Sequence, residues 1–119
     1  MSKPIRVILD GDAKTEFKRL SEVVAQQIKE GKENSQEMQL LNSVNQKLGF
    51  IKSNPFYGDC IPKRLLPPEY KVSSLWRVEL SNFWRMLYTL KGDQKETIAQ
   101  VIDILDHDSY NKKFGYKKK

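Results

Sequence analysis

Two arginines, Arg77 and Arg85, and the single histidine, His107, are the side chains in this sequence best suited to act on a phosphodiester. Glu79, Tyr110 and Tyr116 stand near them in the chain. Cleaving RNA without a metal has three requirements. The 2′-hydroxyl must lose a proton, the charge of the phosphorane must be stabilised, and the leaving 5′-oxygen must gain a proton. Arginine suits the second task, because its planar fork meets two phosphate oxygens at once. Histidine, with an unperturbed pKa near ~6.5, suits either proton transfer. Tyrosine is a poor base at neutral pH, yet it can orient a hydroxyl or stack on a base. The competing reading of His107 is a solvent-facing residue at the end of a strand, and spacing alone does not separate the two.

Rival chemistries find less support. The sequence has no glycine-rich phosphate loop, no His-Glu-x-x-His and no paired-cysteine spacing. Cys60 is the only cysteine, so it forms no intramolecular disulfide, and with one histidine it makes a structural zinc site implausible. A Cys60–His107 nucleophilic pair is allowed by spacing, but no helix start follows "YGDCIPKR" to lower the thiol pKa. No metal and no cofactor are expected.

The elements that must position these residues follow from periodicity. "PIRVILD" reads as a strand over Ile5–Leu9, and Asp12 is placed to cap the next helix. Phe17, Leu20, Val24 and Ile28 form its apolar stripe. The pattern breaks near Gly31, and Asn34 with Glu37 resembles a capping box. A second helix then carries Met38, Leu41, Val44, Leu48 and Ile51 on one face, and it must stop ahead of Pro55. Residues 54–70 hold four of the five prolines and read as an irregular connection. Thereafter the period is two, predicting strands over Leu75–Leu80, Phe83–Leu90 and Thr97–Leu105, with turns at Ser81-Asn82 and Gly92-Asp93. The expected fold is α+β in the order β-α-α-β-β-β, a small, mainly antiparallel sheet packed on an N-terminal helical hairpin. It occupies residues 1–119 as one domain, with a basic tail over 111–119.

Alternation along the hairpin sorts its faces. Trp76, Val78 and Leu80 share one side with Trp84, Met86, Tyr88 and Leu90, and suit a helix-covered core. Arg77 and Glu79 fall on the other side with Arg85. The helices can cover only one face, so the two arginines are expected together on an open one, with His107 ending the last strand beside them.

Charge points the same way. The net charge is +6, yet all 15 acids precede Asn111, so the excess is concentrated in the C-terminal lysines. Such a segment is the footprint of a polyanion binder, or else a solvated terminus. No apolar run approaches the ~20 residues that span a bilayer, and the N-terminus lacks the long apolar stretch of a secretory signal. A cytoplasmic protein with no membrane role is expected.

"LWRVELSNFWRMLYTL" and the ending "DHDSYNKKFGY", with the order of elements, resemble the RelE/ParE superfamily of toxin–antitoxin toxins on its RelE-like side. The layout covers nearly the whole chain, and the residue match is confined to about Leu75 to Tyr116. The resemblance implies a type II toxin that cleaves mRNA in the ribosomal A site without metal until a small acidic antitoxin neutralises it. By position, it implies that Arg85 holds the scissile phosphate, that Arg77 is the basic residue of the preceding strand, and that His107 with Tyr110 or Tyr116 transfers protons or stacks. Glu79 stands where some relatives have a second basic residue; it can be a base, or it can mark a weakened activity. Lys63, Arg64, Tyr110, Lys112, Lys113, Lys117, Lys118 and Lys119 are then the contacts to mRNA and ribosomal RNA. Two alternatives stand beside this one: a ParE-like toxin that inhibits gyrase and hydrolyses nothing, and an inactive member that only binds RNA or protein.

Overall fold

The β-branched run "IRVIL" forms β1 (Ile5–Leu9), as its preference for a pleated surface predicts. The computed structural model describes residues 3–115. Tyr116, Lys117, Lys118 and Lys119 lie outside the described residues.

Helix α1 (Gly11–Lys29) is capped by Asp10 rather than Asp12. The Asp10 carboxylate accepts from Gly11 N at 2.9 Å, and its carbonyl accepts from Ala13 N at 3.1 Å. A cap must keep extended dihedrals, which Asp10 has, whereas Asp12 already lies in the first helical turn. Helix α2 (Gln36–Ser53) is capped one residue later than expected, by Ser35, whose Oγ accepts from Met38 N at 3.1 Å. Glu37 instead accepts from Gln27 of α1 at 2.8 Å, so the Asn34–Glu37 box does not form. The helix ends at Ser53, before Asn54 turns extended ahead of Pro55.

The proline-rich connection is less irregular than its composition suggests. It contains β2 (Asp59–Cys60), too short to show periodicity, and a single 3₁₀ turn at Lys63–Leu65. Strand β3 (Trp76–Glu79) then pairs antiparallel with β4 (Arg85–Gly92). Their turn has three residues, not two: Leu80 N donates to the Trp84 carbonyl at 2.8 Å across Ser81, Asn82 and Phe83. Asn82 and Phe83 have φ of 58° and 64°, so Phe83, expected to begin the strand, sits in the turn. Strand β5 (Thr97–Leu105) pairs antiparallel with β4 and parallel with β1. The last element was not expected. Residues read as a strand end and tail form α3 (His107–Phe114).

The result is an α+β fold with three α-helices and a mixed five-stranded sheet of order β1-β5-β4-β3-β2. One face packs on the helical hairpin: Val78, Leu80, Met86, Tyr88 and Val101 meet Leu20, Val24, Leu40, Val44 and Ile51, with Trp76, Trp84 and Leu90 at the margin. This is the facing that alternation predicts. The other face is not open. Ile61, Leu75, Leu87, Leu105 and Tyr110 form a second buried cluster, flanked by Leu66, Tyr70, Val72 and Phe114. The residues between β2 and β3, together with α3, cover it because Leu87 shares the arginines' face and needs burial. A bulge in β5 assists. Leu87 opposes Asp103 while Tyr88 opposes Val101, leaving Ile102 as the extra residue. Val101 and Ile104 can therefore both face the helices while Ile102 and Leu105 face the second cluster. Among the described residues no helix is long and apolar enough to cross a membrane.

Candidate functional site

Arg77 and Arg85 lie on adjacent strands, where Arg77 opposes Leu87 and Glu79 opposes Arg85. Both reach towards α3. That helix begins at a capping Asp106, whose carboxylate accepts from Ser109 N at 2.8 Å. The same amide contact holds the Asp106 carboxyl below its ordinary range. Gly115, with φ of 72°, ends the helix in the left-handed conformation glycine adopts without strain. The eight residues between carry Tyr110 into the second cluster.

Tyr110 is where the two cations meet. Arg77 Nη1 donates to Tyr110 Oη at 3.1 Å, and the Arg85 guanidinium stands 5.2 Å from the Tyr110 ring centroid. Phe114 stacks on the same tyrosine at 4.4 Å. The buried ring is thus a structural clamp for the arginines rather than a face presented to a base. The hydrogen bond to Tyr110 is the main reason the Arg77 pKa lies above its ordinary value, with Asp59 adding to it. Arg77 Nη2 reaches Asp59 Oδ2 at 3.5 Å, and Arg85 Nη1 donates to the Phe83 carbonyl in the hairpin turn.

Two like charges are therefore held close with little carboxylate to neutralise them. Among the described residues Arg85 has no ion pair, and Nε of both arginines is buried without an acceptor. The Nε atoms are closed to solvent, so an incoming anion meets the terminal guanidinium nitrogens. Glu79, opposite Arg85, is exposed and makes no ion pair among the described residues.

His107 does not end a strand: β5 stops at Leu105 and His107 is the first residue of α3. It is exposed, its Nε2 lies 3.1 Å from Asn111 Nδ2, and its ring stands nearly edge-on to Phe83 with centroids 6.1 Å apart. When Nε2 accepts from Asn111, the ring proton sits on Nδ1. Phe83, 74% exposed, links the parts, since its carbonyl holds Arg85 and its ring meets His107. Sequence reasoning missed both Phe83 and Asp59.

The other expected RNA contacts disperse. Lys63 and Arg64 are exposed in the 3₁₀ turn, beside the segment that covers the second cluster. Lys112 is exposed in the last turn of α3. Lys113 is engaged, 2.7 Å from Glu69 and 5.4 Å from the Tyr70 ring centroid. Cys60 is an exposed thiol in the edge strand β2.

Two clefts flank these groups. One of about 330 Å³ lies where α1 and α3 begin and is lined by Asp12, Glu16, Asp103 and Asp106 together with Lys113; its acidic groups outnumber its one cation, which disfavours a nucleic acid backbone. The other, about 280 Å³, runs along the sheet edge between Lys47 and Tyr57 on one side and Arg77 and Glu79 on the other. Among the described residues no group of three or more histidine, cysteine or acidic side chains is placed to hold a metal ion. Comparison of the chain with protein-family models, curated proteins and solved structures returned no match.

Proposed function

We propose that this protein is an endoribonuclease of the RelE-like kind, a toxin that cuts mRNA on the ribosome and is restrained by an acidic antitoxin. The observation that carries this is the convergence of Arg77 and Arg85 on Tyr110, with no ion pair to Arg85 among the described residues. The order of elements, extended by β2 and α3, supports the same reading.

In the reaction the substrate's 2′-oxygen forms a bond to phosphorus as the bond to the 5′-oxygen breaks, leaving a 2′,3′-cyclic phosphate and a 5′-hydroxyl. Arg85 takes the phosphate oxygens and Arg77 adds charge from the neighbouring strand, so the phosphorane meets cations already in place. His107 transfers a proton from the rim, where its ring meets that of Phe83, the residue whose carbonyl accepts from Arg85. Glu79 is the second proton-transfer candidate. Lys63, Arg64, Lys112 and the terminal lysines supply charge to ribosomal RNA. An acidic antitoxin segment would bring Arg85 the carboxylate it lacks. An imidazole at the rim favours cleavage over gyrase binding, which needs no proton transfer.

Arg85→Ala tests this. The variant should fold, because Arg85 makes no contact with the helix-covered core, and should lose about 10²–10³-fold in the rate of cleavage of translated mRNA. Primer extension and single-turnover kinetics read the loss. A folded variant that cuts at the wild-type rate would remove Arg85 from the site, and wild-type protein that cuts no ribosome-bound mRNA would overturn the assignment.

A further inference from the structure

The sheet-edge cleft opens at one end onto an aromatic patch. Phe50 and Tyr57 have ring centroids 5.2 Å apart, and Phe56 lies 5.6 Å from Trp76, which stacks on buried Tyr88 at 6.1 Å. Phe50, Phe56 and Tyr57 remain 40%, 63% and 41% exposed. Lys47 is held above two of the rings, 5.5 Å from the Phe50 centroid and 5.8 Å from that of Tyr57. Lys52 follows in the last turn of α2. Two exposed rings under a cation, with Phe56 next to Tyr57 in the chain and lining a neighbouring cleft with Lys91, differ from an aliphatic docking patch. They offer flat π faces, which stack on unpaired bases of any sequence, together with a charge suited to phosphate.

We propose that Phe50, Phe56 and Tyr57 are a stacking platform for unpaired bases of single-stranded RNA, from which the strand crosses the sheet edge through the Lys47–Arg77 cleft. This rests on the ribonuclease reading and names where the substrate lies beyond the scissile phosphate. The crossing is open because β2 has only two residues: Asp59 opposes Arg77 and Cys60 opposes Trp76, so the edge of β3 beyond Arg77 has no strand beside it. Gly58 keeps the passage narrow at its start, since a Cβ there would come 2.8 Å from the Arg77 carbonyl and 3.0 Å from the Tyr88 ring. Asp59 and Glu79 line the same cleft, so its net charge is small. Stacking rather than counterion release must then supply most of the affinity at this end.

Binding of a short fluorescein-labelled oligoadenylate, 2′-O-methylated to block cleavage, tests the platform by fluorescence anisotropy across a salt series. Replacing all three rings (Phe50→Leu, Phe56→Leu, Tyr57→Leu) should weaken binding by about 10- to 100-fold, the range expected for one or two lost stacks, with the salt slope unchanged. Lys47→Gln should lower that slope by about one, and Tyr57→Phe should stay within about twofold of wild type because its ring remains. Thermal melts establish that each variant folds. A folded triple variant that binds within twofold of wild type overturns the proposal, as does one that loses only a protein partner. Outcomes for the two readings separate. Weakened binding by the triple variant with no cleavage by wild type keeps the platform and removes the nuclease. Unchanged binding beside an inactive Arg85→Ala does the reverse.

Discussion

At Asp103 the sheet buries a carboxyl group, and Tyr70 Oη donates to it at 2.5 Å. Burial pushes the Asp103 pKa above the ordinary carboxylate range, with the Tyr70 hydrogen bond opposing the shift, and the Tyr70 phenol is raised in turn. The sign follows from linkage. An acid with a raised folded pKa contributes stability that is complete below its unfolded value and is lost as pH rises through the folded one. Asp103→Asn keeps an acceptor for Tyr70 but never ionises. Its stability relative to wild type should therefore rise with pH above ~4 and level off once the wild-type group is ionised. Urea melts from pH ~3 to ~8 check this, and a stability difference independent of pH would show that the wild-type carboxyl titrates normally.

Helix α3 is the element on which the candidate site depends, because it alone carries Tyr110 to the arginines. Its start rests on Asp106, so Asp106→Ala should cost about 0.5–2 kcal/mol of stability and loosen the clamp, read as lost helical signal and faster exchange of the Ser109 amide. Since the Asp106 carboxyl has a lowered pKa, its contribution is present above the ordinary aspartate range and falls away as the pH drops through the folded value. The alternation Trp76, Val78, Leu80 against Arg77 and Glu79 was legible in the chain, since a strand has a strict period of two, and it placed both arginines on one face. The helix was not. Eight mostly polar residues give too little periodicity to be told from a tail, although the strand before them ends at Leu105 as its alternation predicts. Two signals were present, a capping Asp106 and the left-handed Gly115. Contacts between residues 33 positions apart, such as Arg77 with Tyr110, leave no trace in local pattern. The cover over the second face was hidden for that reason.

Taken whole, the molecule is a sheet with unequal layers. The helical hairpin buries one face under long amphipathic helices, while the other is covered by a proline-rich segment and one short helix. Stability should be divided accordingly. In native-state hydrogen exchange, the amides of α3 should open at lower free energy than those of the central strands β4 and β5, in a separate step. Uniform protection across both layers would argue for one cooperative unit. The pairing of Ile5 with Thr97 in parallel register also sets an order of events during synthesis. The first strand leaves the peptidyl-transferase centre long before its neighbour exists, and at about 5–20 residues per second it waits several seconds for it. Arg77, Arg85 and Tyr110 can meet only after β5 has been made and α3 behind it. A nascent chain therefore has no arginine clamp until α3 has emerged behind β5.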